Sequence, residues 1–202
     1  MRQYRKRIVS AGNVAAVMLL LLATGAGPSL AGQLTDAARQ AEMLAAEGKA
    51  KEAFETIRKA LGDFSATLPF TIGEAVFVTG KPSAYGAYTP RPDAIFKSGE
   101  PLLTYLELVG LSWKTLPDGQ FQSHFTVDLD LLDKAGETLA SQPNFGDFTF
   151  TGRVRNQELY THLTLDLTGA DPGDYKVRYT VTDTTTGSRA EVSLPFTISA
   201  SP

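Results

Sequence analysis

The sequence predicts a mainly β protein: an antiparallel β-sandwich of seven to nine strands behind an α-helical hairpin. Three observations predict it. Residues 159–167, 175–181 and 190–198 alternate strictly between apolar and polar side chains, the period of a strand with one buried and one wet face. Turn signals such as Pro172-Gly173-Asp174 and Thr185-Thr186-Gly187-Ser188 separate these runs, as they do in antiparallel sandwiches. Residues 34–62 instead repeat their apolar positions every three or four residues, the period of a helix buried along one side.

The chain opens on a leader. Arg2, Arg5, Lys6 and Arg7 precede an apolar run at 14–22, and Ser29-Leu30-Ala31 stands before Gly32. A basic start, a short apolar segment and small residues at the cut describe a secretory signal peptide over 1–31. The other reading is an uncleaved anchor. A bilayer span takes about 20 predominantly apolar residues, and this run is too short and is broken by Gly25, Gly27 and Pro28. Cleavage after Ala31 is therefore expected, with no membrane insertion afterwards.

The rest of the chain is acidic. The leader holds four basic residues and no acid, so its removal takes the formal net charge from −3 to −7. A nucleic-acid partner is not expected, because phosphate binding needs a basic face. The chain has no cysteine, which excludes disulfides, thiol nucleophiles and Cys-type zinc sites. Gly32 follows the cut where a lipid-anchored protein needs Cys. The expected location is the periplasm or the extracellular space, in soluble form.

In the helical segment, Ala37, Ala38, Ala41, Leu44 and Ala45 predict one helix, and Ala53, Phe54, Ile57, Ala60 and Leu61 predict a second. Gly48 supplies the turn between them. Asp36 is placed near the start of the first helix and Lys59 near the end of the second, as the helix dipole prefers. The hairpin is assigned to 32–64, a linker to 65–68 and the sandwich to 69–199.

Strands are expected at 70–79, 102–109, 120–132, 137–141, 147–154 and 159–167, followed by the terminal pair. Residues 80–92 form a Gly/Pro loop carrying Tyr85 and Tyr88, and Phe96-Lys97-Ser98-Gly99-Glu100-Pro101 reads as a turn. The strand at 102–109 is apolar on both faces: Leu102, Leu106 and Leu108 on one, Leu103, Tyr105 and Val109 on the other. Something must cover the second face. The candidates are the helical hairpin and the Tyr85/Tyr88 loop.

Two resemblances follow from these residues. Glu47-Gly48-Lys49-Ala50-Lys51-Glu52-Ala53, with Ile57, Ala60 and Leu61, resembles a tetratricopeptide repeat, degenerate in lacking the early Trp and closing Pro. No second copy follows, and such repeats bury a core only by stacking on neighbours. The resemblance therefore implies a hairpin that packs on its own domain or on a partner. Pro172-Gly173-Asp174-Tyr175-Lys176-Val177, then Val181-Thr182-Asp183, Gly187 and Ala190, is similar to the last two strands of immunoglobulin-like and fibronectin-III-like modules of exported bacterial proteins. That resemblance implies an immunoglobulin-like β-sandwich, a corner tyrosine at Tyr175, and a binding or spacer role. Val177 stands where an antibody domain has Cys.

Chemistry-bearing residues are sparse. His124 and His162 lie on polar strand faces, where they could approach each other only if their strands were neighbours. Asp128, Asp130 and Asp133 form an acidic run without the glycine and terminal glutamate of a calcium loop. Glu74, Glu100 and Glu107 are scattered, and no nucleophile-elbow, zinc-protease or phosphate-loop motif occurs. The expectation is no enzyme, no cofactor and no metal. Tyr85, Tyr88 and Trp113 are the candidate binding residues, because Tyr and Trp give contact area at low entropic cost.

The function expected is an exported, non-enzymatic binding or scaffold protein that engages another protein through its sandwich or its hairpin. A second reading is a carbohydrate-binding module that stacks sugars on Tyr85, Tyr88 and Trp113. A third is an enzyme whose acids converge only in the fold. A protein partner predicts an exposed apolar patch on the hairpin. A glycan predicts a planar row of exposed rings.

Overall fold

A computed structural model describes residues 30–200. The expected leader over 1–31 lies outside the described residues, apart from the two that begin the first helix. Helices α1 (Leu30–Ala46) and α2 (Ala50–Ser65) form an antiparallel hairpin. Gly48 adopts φ +76° in the turn, a conformation glycine takes without the steric cost of a Cβ. Ala41 and Ala53 are buried in the seam, small side chains that let the helices approach closely. The dipole placements need correction. α1 begins at Leu30, so Asp36 is not in its first turn. α2 continues to Ser65, so Lys59 is not in its last, and it pairs with Asp63 at 2.7 Å instead. Among the described residues no helix is long and apolar enough to cross a membrane.

The strands are β1 (Thr71–Phe77), β2 (Ile95–Lys97), β3 (Leu102–Val109), β4 (Lys114–Thr115), β5 (Phe121–Asp133), β6 (Thr138–Gly152), β7 (Leu159–Leu165), β8 (Gly173–Asp183) and β9 (Arg189–Ser199). The chain is thus mainly β, with two helices ahead of the sheets. Two strands fall outside the sequence expectation. β2 falls where a turn is expected, and exists because it pairs in parallel with β9. β4 pairs with the start of β5. The two pieces expected at 137–141 and 147–154 are one strand, β6. It is interrupted by an irregularity at Asn144, whose φ is +53° and whose N–H donates to Asp128 Oδ1 at 2.8 Å.

The strands form a three-stranded sheet, β1-β3-β7, and a six-stranded sheet, β2-β9-β8-β5-β4 with β6 also on β5. One hydrophobic core lies between them. It gathers Leu102, Leu106 and Leu108 from β3, Leu159 and Leu163 from β7, Phe125 and Val127 from β5, Val177 and Val181 from β8, and Phe196 and Ile198 from β9. Each such side chain contributes about 1.5–3 kcal/mol by leaving water. The larger sheet curls into a half-barrel rather than lying as a flat layer. Phe148 and Phe150 of β6 stack on Phe125 at 5.1 and 6.0 Å, and Gly146 of the same strand backs onto Leu163 of β7. At the foot of β8, the Tyr175 hydroxyl donates to the Asp171 carbonyl at 2.8 Å.

Candidate interaction surface

Among the described residues, the hairpin carries most of the large exposed apolar side chains. Phe54 is 68% exposed and Met43 58%, and Leu34, Ile57, Leu61 and Phe64 are each more than a third exposed. Positions 54, 57, 61 and 64 of α2 recur at three- and four-residue steps, so they share one face. α1 covers the neighbouring face, where Ala53 is buried and Ala60 half-buried. The sequence places Phe54, Ile57 and Leu61 with Ala53 and Ala60 as one core-facing set. The structure divides them. One partner helix cannot cover so wide an apolar arc, and that width is the sequence signal for a second stripe.

The hairpin is tied to the β region at its lower end. Arg155, in the turn between β6 and β7, donates to Asp63 Oδ1 at 2.5 Å, and its guanidinium lies 5.8 Å from the centre of the Phe121 ring. Gly62 is buried against the same guanidinium. The Arg155 and Lys59 cations beside Asp63 hold its carboxyl below the usual range.

Trp113 lies next to this junction. It is half-buried, packs on the core, and lines a cleft of about 270 Å³ with Leu68, Gly110, Arg155 and Asp183. Asp183 is 1% exposed. Burial alone would raise its pKa. Hydrogen bonds from Ser112 and from the backbone N–H groups of Thr185 and Thr186 outweigh that and hold it low. The carboxylate thereby fastens the β8–β9 turn to the segment after β3.

Tyr85 and Tyr88 sit over the outer face of the three-stranded sheet. The Tyr88 ring lies tilted against Tyr105 of β3 with centroids 4.2 Å apart, and the Tyr160 ring of β7 lies 5.5 Å from the same tyrosine. Tyr105 is fully buried. Its hydroxyl donates to Glu107 Oε1 at 2.7 Å and accepts the Gly86 N–H at 2.8 Å. Burial, with Glu107 as hydrogen-bond partner, also pushes the Tyr85 hydroxyl up. Of the two candidates for covering the second face of β3, the tyrosine loop is the one that does so. Both loop tyrosines are half-buried. Tyr88 is tilted against the ring of another tyrosine, at 32° between planes, and Trp113 packs on the core edge.

The other candidates have local roles. His124 on β5 and His162 on β7 belong to different sheets, so they do not meet. His124 Nε2 lies 2.8 Å from Asp147 Oδ1 across the β5–β6 pair. Burial, and then Lys81, lowers the pKa of His162. Asp130 accepts from Arg178 at 2.7 Å and from Ser141, and Asp133 accepts the Glu137 N–H at 2.8 Å. Among the described residues no three His, Asp or Glu side chains gather as metal ligands.

No family model and no curated protein matches the chain. Solved structures similar to it include these two. One is the Pseudomonas fluorescens alkylpurine DNA glycosylase AlkC bound to DNA containing an abasic site analog, at 13% identity and a TM-score of 0.35, covering 76% of this chain and 39% of that one. The other is a family 123 glycoside hydrolase from Clostridium perfringens, at 10% identity and a TM-score of 0.39, covering 66% of this chain and 28% of that one. The chain thus spans under two fifths of the length of either. Both are enzymes, and on that finding the expectation that this chain is not an enzyme is withdrawn. At this level the likeness transfers no activity, substrate or fold.

Proposed function

We propose that the protein is an exported binding module that docks a partner protein on the apolar face of its helical hairpin. The observation that carries this reading is the concentration of exposed apolar side chains there. Among the described residues, Leu34, Met43, Phe54, Ile57, Leu61 and Phe64 lie on the hairpin, against Ile95, Leu139 and Val154 elsewhere. Exposed apolar side chains gathered on one element in this way mark an interaction surface. The likeness to a tetratricopeptide repeat supports the same reading, since such repeats bury their apolar faces by stacking on neighbours, and Phe54, Ile57 and Leu61 remain more than a third exposed beside α1.

The carrier we propose is an immunoglobulin-like module of fibronectin-III type, here with a curled larger sheet. The strand order supports it: β1, β3 and β7 pair on one side of the core, and β9, β8, β5 and β6 run in that order on the other. The bond from Tyr175 to the Asp171 carbonyl has the form of the corner tyrosine of that class.

Site-specific photocrosslinking in the native envelope tests the docking reading. A crosslinker at position 54 or 61 is expected to give one discrete adduct, and one at Glu191 on β9 none. Ile57→Ser should abolish the adduct while changing stability by no more than about 0.5 kcal/mol, as exposed substitutions do. Absence of any adduct from the hairpin positions, or one that survives Ile57→Ser, would overturn it. Export is tested by the N-terminus of the protein recovered from periplasm or medium. It should begin at Gly32, and an intact Met1 would refute the leader.

A further inference from the structure

The other flank of α2 faces a groove that the docking reading does not use. It holds about 330 Å³ and is lined by Glu55, Arg58 and Lys59 of α2, by Phe121, and by Arg153, Val154 and Arg155 of the β6–β7 turn. Four cations therefore meet in one groove of an acidic chain. Asp63 takes two of them, Lys59 and Arg155. The remaining two are unmatched. Arg153 makes no hydrogen bond or ion pair among the described residues, and the Nε of Arg58 is buried without a partner. Glu55, the one acid in the lining, forms no ion pair with any of the four. Phe121 is half-buried on the groove wall and Val154 is 39% exposed.

Gathered like charges repel, and a buried guanidinium N–H without an acceptor opposes folding. A structural role does not account for either, because these two arginines hold nothing together. An oxyanion accounts for both. Guanidinium forks match carboxylate and phosphate oxygens and bind them with charge-assisted hydrogen bonds. The apolar wall beside the cations suits a ligand whose charge is attached to an aromatic or aliphatic body.

We propose that Arg58 and Arg153, with Arg155 and Lys59 at the rim, bind an oxyanion ligand, a carboxylate or phosphate monoester, whose apolar body lies on Phe121 and Val154. The site lies beside the hairpin's apolar face and does not depend on what docks there.

The test is a titration of the purified protein, followed by ¹H–¹⁵N NMR, with phenyl phosphate, benzoate, inorganic phosphate and neutral benzamide. Phenyl phosphate and benzoate should give saturable shifts confined to the α2 flank, Phe121 and the 153–155 turn, weakening with added salt as ion pairs do. Benzamide should give none. Arg153→Gln, at an exposed position, should weaken phenyl phosphate by about tenfold or more, as losing a charge-assisted contact does, and Arg153→Lys should recover part of that. Arg58→Gln should act in the same direction. Absence of a saturable shift, or binding that survives both Gln variants, would overturn the proposal. Equal affinity for phenyl phosphate and inorganic phosphate would remove the apolar wall from it.

Discussion

The hydroxyl of Thr104 on β3 lies 3.0 Å from the hydroxyl of Tyr179 on β8, with both side chains fully buried. The bond crosses the core and joins the two sheets. Either residue alone would leave a polar atom stranded among Leu, Val and Phe side chains. Thr104→Val should therefore cost about 1–3 kcal/mol, the penalty for a buried hydroxyl without a partner. The double variant with Tyr179→Phe should cost less than the sum of the two single ones, because no hydroxyl is then left unpaired. Chemical denaturation of the four proteins measures this, and strict additivity would show that the hydroxyls are not coupled.

The same tyrosine predicts a loss of stability at high pH. Burial, opposed in part by the bond to Thr104, pushes the Tyr179 hydroxyl up to about 12. The folded state keeps its proton where the unfolded chain, titrating near 10, has released it. The stability this provides is complete below pH 10 and is lost as the pH rises through the folded value. The total is about 2–3 kcal/mol at 1.36 kcal/mol per unit. Tyr179→Phe should show a flatter stability profile between pH 10 and 12. Parallel profiles would place the titration elsewhere.

Asp63 and Arg155 predict how the hairpin is held. The pair is partly exposed, so its contribution is about 1 kcal/mol or less. Its effect should be local. Asp63→Asn should speed amide exchange in the last turn of α2 and cleavage by protease within 65–70, while leaving the exchange of β5 and β8 unchanged. The lowered carboxyl pKa gives the pH dependence: this tether is complete above the ordinary aspartate range and weakens as the pH falls through the folded value. Uniform acceleration across the sheets would show that the hairpin and sheets open together.

The alternating strands were legible because side-chain direction in a strand repeats every two residues. β3 has the bounds the sequence predicts, and β8 and β9 differ from theirs only at the ends. The need for a cover on β3 was also legible, since Tyr105 and Val109 face away from Leu106 and Leu108. β2 and β4 were not. They are two or three residues long, too short for periodicity to register, and are defined by pairing with distant strands. The oxyanion groove was hidden for a related reason. Arg58 and Arg153 stand far apart in sequence, and neither belongs to a motif.

Local periodicity determined the order and kind of nearly every element and the unusual second face of β3. It acts over a few residues, so any segment carries it alone. Tertiary structure decided which apolar residues remained outside. Phe54, Ile57 and Leu61 look like core until α1 is seen to cover only the adjoining stripe. Tyr88 is an open ring until the loop folds it onto Tyr105. Burial depends on what a distant part of the chain brings into contact, and that information exists only once the sheets and hairpin have met.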